Sequence, residues 1–342
     1  MTFPRWTAFA AFVGIMVLVG PVAAETTGQE RAEAAGKGLV GSPAPRMIVK
    51  TIDGQTIDLG ALYGKKAVYL KFWATWCVPC REQMPHFERT YESAGQDLAV
   101  IAINAGFDDS VGEIQKYRRA LGITMPIVLD DGQLGAAFNL RVTPQHIVIG
   151  RDGRIQYVGH LADARLDAAL LAARHPVAAS AMTGFPAAPV EAPGIRVGDP
   201  LPAQSVTTLD GKSFAFRTSG TPKPTVLVFL SPWCESYLAT TRPAISASCR
   251  RTREQVSGLA RDSHIRWIGV ASGLWASADD LRQYRDEYKV RIPLTLDESG
   301  EIFRTFRVTD VPTVLIADAQ GKLVRRVVPD ESDGLRKALA GL

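Results

Sequence analysis

Hydrophobic and polar positions along this chain separate a short apolar leader from a long series of strands and helices. Residues 1–24 hold one basic residue, Arg5, then an apolar run from Ala8 to Val19, then the small residues Val22-Ala-Ala24. This is the layout of an export signal cut after Ala24, and the run is shorter than the roughly 20 apolar residues that a bilayer-spanning helix needs. An uncleaved anchor is the alternative. Export places the chain outside the cytoplasm, where disulfides persist, and a signal this short fits a bacterial periplasm. Farther on, Ala67–Trp73 reads as a buried strand, Pro79–Ser93 as a helix, Leu98–Asn104 as a strand and Gly112–Leu121 as a helix. Gln145-His-Ile-Val-Ile149, the turn Asp152-Gly153 and Arg154-Ile-Gln-Tyr-Val158 make a hairpin signal. Alternating strands and helices predict an α/β fold with a mainly parallel sheet, here finished by an antiparallel hairpin.

The pattern then repeats. Gly41-Ser-Pro-Ala-Pro45 and Thr51-Ile-Asp-Gly-Gln-Thr56 return 157 residues later as Gly198-Asp-Pro-Leu-Pro202 and Thr208-Leu-Asp-Gly-Lys-Ser213. Trp76-Cys77 and Trp233-Cys234 keep that offset, whereas Thr143-Pro144 and Val311-Pro312 are 168 apart, so the second copy has gained 11 residues in between. Thr313-Val-Leu-Ile316, Gln320-Gly321 and Lys322-Leu-Val-Arg-Arg326 repeat the closing hairpin. A repeat this long means duplicated domains, since solenoid units run to about 20 to 50 residues. Pro176, Pro186, Pro189 and Pro193, set among alanines, mark the seam. The expected organisation is a signal at 1–24, an N-terminal segment at 25–39, one domain at 40–173, an Ala/Pro-rich linker at 174–194 and a second domain at 195–342.

Composition narrows the partners. The 342 residues are 46% hydrophobic and 22% charged, enough apolar material for a sizeable core. With 39 basic and 35 acidic residues the net charge is +4, which argues against nucleic acid or a polybasic membrane patch. Four cysteines are too few for a disulfide scaffold, so the position of each matters.

Two of them, in Trp76-Cys-Val-Pro-Cys80, stand three positions apart at a predicted strand-to-helix junction. There the free backbone amides and the helix dipole favour an anion, so Cys77 ionises more readily than a free cysteine. Its thiolate can attack a partner disulfide, and Cys80 can then displace the reduced partner from the mixed disulfide. A permanent disulfide or half of a zinc site are the alternatives. Zinc lacks a second close pair of ligands among Cys234, Cys249 and the five histidines. His86 and His146 leave a copper-binding assembly factor open, with the dithiol as ligand.

The first copy resembles the TlpA-like and ResA-like branch of exported thiol-disulfide oxidoreductases, on Phe72-Trp-Ala-Thr-Trp-Cys-Val-Pro-Cys80, Met84-Pro85, Thr143-Pro144 and the Gly-x-x-Ala-Pro opening. The resemblance implies two tandem thioredoxin-like domains, each a central mixed sheet flanked by helices. It also implies a cis-proline loop at Thr143-Pro144 beside the motif, with a backbone able to pair with an extended substrate. Such proteins act on protein disulfides, keeping the cysteines of apocytochromes or copper-site proteins reduced with electrons from a membrane thiol reductase. No cofactor beyond the Cys77–Cys80 disulfide is implied. Cys77, Cys80 and Pro144 are the expected catalytic positions, with Lys71, Trp76, Pro79, Gln83 and Thr143 modulating them. Two positions depart from relatives. Gln83 stands where many have a glutamate that assists proton transfer, and Glu82, about 100° away around the helix, is poorly placed to replace it. Lys71 stands where thioredoxins keep a buried aspartate. It either stabilises the thiolate, serves as a base when desolvated, or reaches out to solvent.

In the second copy the motif reads Ser231-Pro-Trp-Cys-Glu-Ser-Tyr237. Tyr237 occupies the place of the second cysteine, so a C-x-x-C cycle is ruled out there. Cys249 follows 15 residues after Cys234, about 22 Å away along a straight helix. A break near Thr240–Pro243 could fold it back into a structural disulfide; otherwise the two thiols are free. Val311-Pro312 keeps the loop signature, which suggests a docking module or a domain kept for stability.

Overall fold

In a computed structural model of the 342-residue chain, the structure describes residues 22–176, 194–217, 221–261, 264–327 and 334–340. The expected leader up to residue 21 and most of the expected linker lie outside the described residues. Helix α1 (Val22–Gly36) precedes a short hairpin of β1 (Ile48–Lys50) and β2 (Thr56–Asp58), and α2 (Leu59–Leu62). Then follow β3 (Ala67–Trp73), α3 (Val78–Glu92), β4 (Leu98–Asn104), α4 (Val111–Leu121), β5 (Ile127–Leu129), α5 (Gln133–Ala137), β6 (Gln145–Ile149), β7 (Ile155–Gly159) and α6 (Ala164–Ala173). The five-stranded sheet runs β5-β4-β3-β6-β7, parallel among the first three and antiparallel at β6 and β7. All seven residues of β3 are buried because the strand is central and covered on both faces. α4 begins at a reciprocal Ser110–Glu113 capping box and ends at Gly122 in the left-handed region, which stops it where the loop to β5 must turn.

The second half rebuilds this plan. A short hairpin of β8 (Ser205–Thr207) and β9 (Ser213–Ala215) leads into β10 (Thr225–Leu230), α7 (Cys234–Thr241), α8 (Pro243–Leu259), β11 (Arg266–Ser272), α9 (Ala278–Tyr288), β12 (Leu294–Asp297), α10 (Glu301–Thr305), β13 (Thr313–Ala317), β14 (Leu323–Val327) and α11 (Gly334–Leu339). Its sheet order, β12-β11-β10-β13-β14, matches the first strand for strand. The copies differ after the motif. α3 passes through Pro85 without ending, whereas its counterpart is split at Arg242, whose φ of −141° and ψ of 64° are not helical, with Pro243 opening α8. Proline suits a first turn because its missing N–H would be unpaired there anyway. The extra length is therefore a second helix folded back on the first.

The two sheets share one core. A continuous buried cluster runs from Trp73, Trp76 and Phe107 of the first domain to Phe229, Cys234 and Phe303 of the second. Contacts across it are reciprocal. Asp108 N–H donates to Thr309 O at 3.0 Å, and Trp275 N–H donates to Arg141 O at 2.8 Å. Arg141 and Thr309 each lie three residues before a cis proline, Pro144 and Pro312. Asp108 and Trp275 both sit at positive φ, 54° and 57°, a conformation that turns each loop tip toward the other domain. Two copies of one fold thus meet through the same surface on each, as in an isologous dimer, within a single chain.

Candidate active site

Cys77 caps α3 and is bonded to Cys80, with Cα atoms 5.2 Å apart. Its Sγ accepts the Cys80 N–H at 3.2 Å and lies 3.3 Å from Thr143 O. Pro79 sits in the first turn of α3, where it costs no hydrogen bond. A reduced Cys77 therefore meets a backbone donor and the positive end of a helix, both favouring its thiolate. Thr143-Pro144 is cis and adjoins the pair, and Thr143 is fully buried. Both cysteines are also buried, Cys77 at 1% exposure and Cys80 at 0%.

Beneath the pair runs a polar chain. His146 lies 2.7 Å from the Tyr69 hydroxyl through Nδ1 and 2.9 Å from Gln83 Oε1 through Nε2. Gln83 Nε2 donates to His160 O at 3.2 Å, and His160 Nδ1 lies 2.7 Å from Pro144 O. The carbonyl acceptors set the directions: Nε2 of His146 carries its proton, so Nδ1 accepts from Tyr69. Burial holds the His146 pKa well below the usual histidine value, so His146 is neutral in this chain. Gln83 thus joins α3 to β6 and to the residue after β7, while Glu82 points to solvent.

Lys71 is fully buried on β3, not extended to solvent, with Nζ 5.3 Å from the centre of the Phe87 ring on α3 and without a hydrogen-bond partner. Burial lowers its pKa to about 7, so near neutrality a large fraction of the amine is unprotonated. The histidines of the copper alternative are otherwise engaged: His86 pairs with Asp167 at 3.0 Å, and His146 belongs to the chain above. Among the described residues no group of three or more His, Cys, Asp or Glu side chains is arranged to hold a metal ion.

Above the pair lies domain two. Trp233 stacks on Trp76 with ring centres 5.1 Å apart, and Tyr237 meets Trp76 edge-on at 6.2 Å. Tyr237, at the position of the lost cysteine, accepts the Val78 N–H at 3.1 Å, a first-turn amide of α3. Trp275 Nε1 donates to Thr143 Oγ1 at 3.2 Å, and its ring meets His160 edge-on at 5.5 Å. From the break between α7 and α8, Arg242 reaches Asp109 at 2.9 Å and also pairs with Glu113 and the Thr75 hydroxyl. Asp109 is held by Asn104 and by Thr75 N–H, each at 2.7 Å. Cys234 and Cys249 are bonded, with Cα atoms 6.3 Å apart, which ties α8 back onto α7 and aims Arg242 across the interface.

Several residues that shape the site carry no local signature. Tyr237, Trp275, Asp108, Asp109 and Arg242 act across the domain boundary, far from their partners in sequence. Gln29 of α1 accepts the His160 and Leu161 amides at 2.8 and 3.2 Å, and Gly28 lets the helix lie on the His160 ring, which a Cβ there would meet at 2.4 Å. The reciprocal loop contact could have been suspected from the repeat; α1 had no repeated counterpart to point to it.

Residues 40–158 match the AhpC/TSA family. The chain is 34% identical over 117 residues to the thioredoxin-like protein YneN of Bacillus subtilis, covering 34% of this chain and 68% of that protein. It is 32% identical over 117 residues to the thiol-disulfide oxidoreductase ResA of the same organism, covering 34% of this chain and 64% of that one. It thus spans about two thirds of the length of these relatives. Among solved structures, StoA from Bacillus subtilis is similar at 25% identity and a TM-score of 0.33, covering 37% of this chain and 97% of that one. With the Cys77–Cys80 pair capping α3 beside a cis-proline loop, the chain belongs to the AhpC/TSA family of thioredoxin-like proteins, alongside the thiol-disulfide oxidoreductases of ResA type.

Proposed function

We propose that this protein reduces disulfides of other proteins outside the cytoplasm, with Cys77 as nucleophile and Cys80 as resolving cysteine. The observation that carries this reading is the Cys77–Cys80 disulfide at the N-cap of α3, where the Cys80 amide and the helix terminus stabilise a thiolate on Cys77 and not on Cys80. In the reduced state the Cys77 thiolate attacks one sulfur of a client disulfide, the other client sulfur leaves as a thiolate, and Cys80 then attacks Cys77 Sγ to free the second. The client gains two electrons and two protons, and the Cys77–Cys80 disulfide forms. Reduced partners return the electrons; a membrane thiol reductase suits that role, and apocytochromes or copper-site proteins suit that of client. Since Trp233, Tyr237 and Trp275 cover the pair, a folded client reaches Cys77 when the two domains part, and domain two selects what enters.

The test is to trap the intermediate. Cys80→Ser should accumulate mixed disulfides through Cys77 with exported proteins, and Cys77→Ser should accumulate none; an empty trap with Cys80→Ser would falsify the reading. A redox titration of the pair fixes the direction: a strongly reducing potential supports reduction, and a value near that of dedicated oxidases reverses it.

A further inference from the structure

Domain two does not cover the dithiol on every side. Between α3, α4 and the α7–α8 break a cleft of about 440 Å³ remains open, and Cys77 forms part of its wall. Its floor is apolar, built by Trp76, Val78 and Tyr117, while Arg81, Lys116 and Arg242 are its cations and Glu113 its carboxylate. Arg242 is committed to Asp109 and Glu113. Arg81, the residue after Cys80, instead lies over the Tyr117 ring, its guanidinium carbon 4.8 Å from the ring centre. Among the described residues, neither the Arg81 nor the Lys116 side chain has an ion pair or hydrogen bond. The cleft therefore keeps two positive charges without a carboxylate partner beside Cys77, at a volume within the range of small-molecule sites, about 300 to 1,000 Å³.

We propose that the closed molecule exchanges directly with a low-molecular-weight disulfide bearing carboxylates, seated in this cleft with its acid groups on Arg81 and Lys116. The inference rests on the exchange chemistry proposed above and assigns it a second substrate class, one small enough to reach Cys77, 1% exposed at the cleft wall, by side-chain movement alone and without the domains parting. The step balances. Cys77 thiolate attacks one sulfur of the small disulfide and its S–S bond breaks, the first small thiolate leaves and takes a proton from water, and Cys80 displaces the second from Cys77. One small disulfide becomes two thiols, and the Cys77–Cys80 dithiol becomes a disulfide. Run in reverse, an anionic thiol reduces the pair.

The full-length reduced protein should be mixed with anionic oxidised glutathione or with neutral hydroxyethyl disulfide, and its oxidation followed by the fluorescence of the tryptophans around the pair. At low salt, the ratio of glutathione to hydroxyethyl rates should fall about tenfold in Arg81→Gln/Lys116→Gln relative to the unaltered chain. High salt should erase the same preference in the unaltered chain. The rate should also rise linearly with disulfide concentration. A ratio untouched by the double substitution overturns the proposal, as does a rate that saturates at one value for both disulfides, because domain opening would then limit entry. Failure of every disulfide to oxidise the pair would instead sink the exchange chemistry itself.

Discussion

Lys71 is an amine without a hydrogen-bond partner in the core, a residue whose burial opposes stability. Its folded pKa of about 7 lies below the usual lysine value, so between the two the unfolded chain binds a proton that the native chain does not. The sign follows: stability rises as pH climbs from about 7 toward the unfolded lysine pKa, and the penalty is largest at and below neutrality. Lys71→Met, of similar length, should raise the unfolding free energy at pH 7 by a few kcal/mol, on the order of the shift at about 1.4 kcal/mol per unit, and should abolish the alkaline rise. Urea titrations at several pH values check both. A slower Cys77–Cys80 cycle in the same variant would show that the buried amine is retained for chemistry, since stability alone disfavours it. Gln83 carries the complementary lesson. Read as a departure from relatives with a glutamate, it proves in this fold to be a neutral bridge between His146 and the backbone of His160, a role that requires both an acceptor and a donor on one side chain.

Among the elements, the pair α7 and α8 shows what this fold builds where the C-x-x-C is absent. A straight helix would hold Cys234 and Cys249 about 22 Å apart, but the turn at Arg242 folds α8 back along α7 and the sulfurs join. A cross-link over a loop of this size contributes about 3 kcal/mol by restricting the unfolded chain. Replacing both cysteines by serine should lower the stability of domain two by about that amount, read as an earlier urea midpoint for its transition with the transition of domain one shifted less. The turn itself was legible beforehand as a helix interrupted at Pro243, but whether it closed a disulfide was not: proline sets where a helix stops, and only packing sets the direction of the next one. Strands β3, β4 and β6 were legible for the opposite reason, because a buried central strand is apolar along most of its length whatever surrounds it, and Lys71, Asn104, Gln145 and His146 are polar exceptions too few to break the run.

For the molecule as a whole, the decisive feature is that each domain presents its cis-proline loop to the other. Opening this contact should expose the dithiol. Trp275→Ala removes an indole that bridges Thr143 and His160, and truncating such an aromatic anchor at an interface costs on the order of 2 kcal/mol. At about tenfold per 1.4 kcal/mol, the reduced variant should alkylate Cys77 with a bulky maleimide roughly ten times or more faster than the unaltered chain, with its far-ultraviolet spectrum unchanged. Equal rates would mean that the closed arrangement does not protect the thiol. The sequence alone determined that there are two related domains, that one keeps a C-x-x-C at a helix start and that the other has lost it, because repeats, apolar runs and motif spacing are local in the chain. Only the tertiary structure decided that the second domain lies over the first one's cysteines, that Tyr237 docks on the first turn of α3, and that Arg81 and Lys116 line an open cleft beside Cys77. Those facts depend on which surfaces of two folded bodies are complementary, and complementarity between residues more than a hundred positions apart leaves no periodic trace in the order of the amino acids.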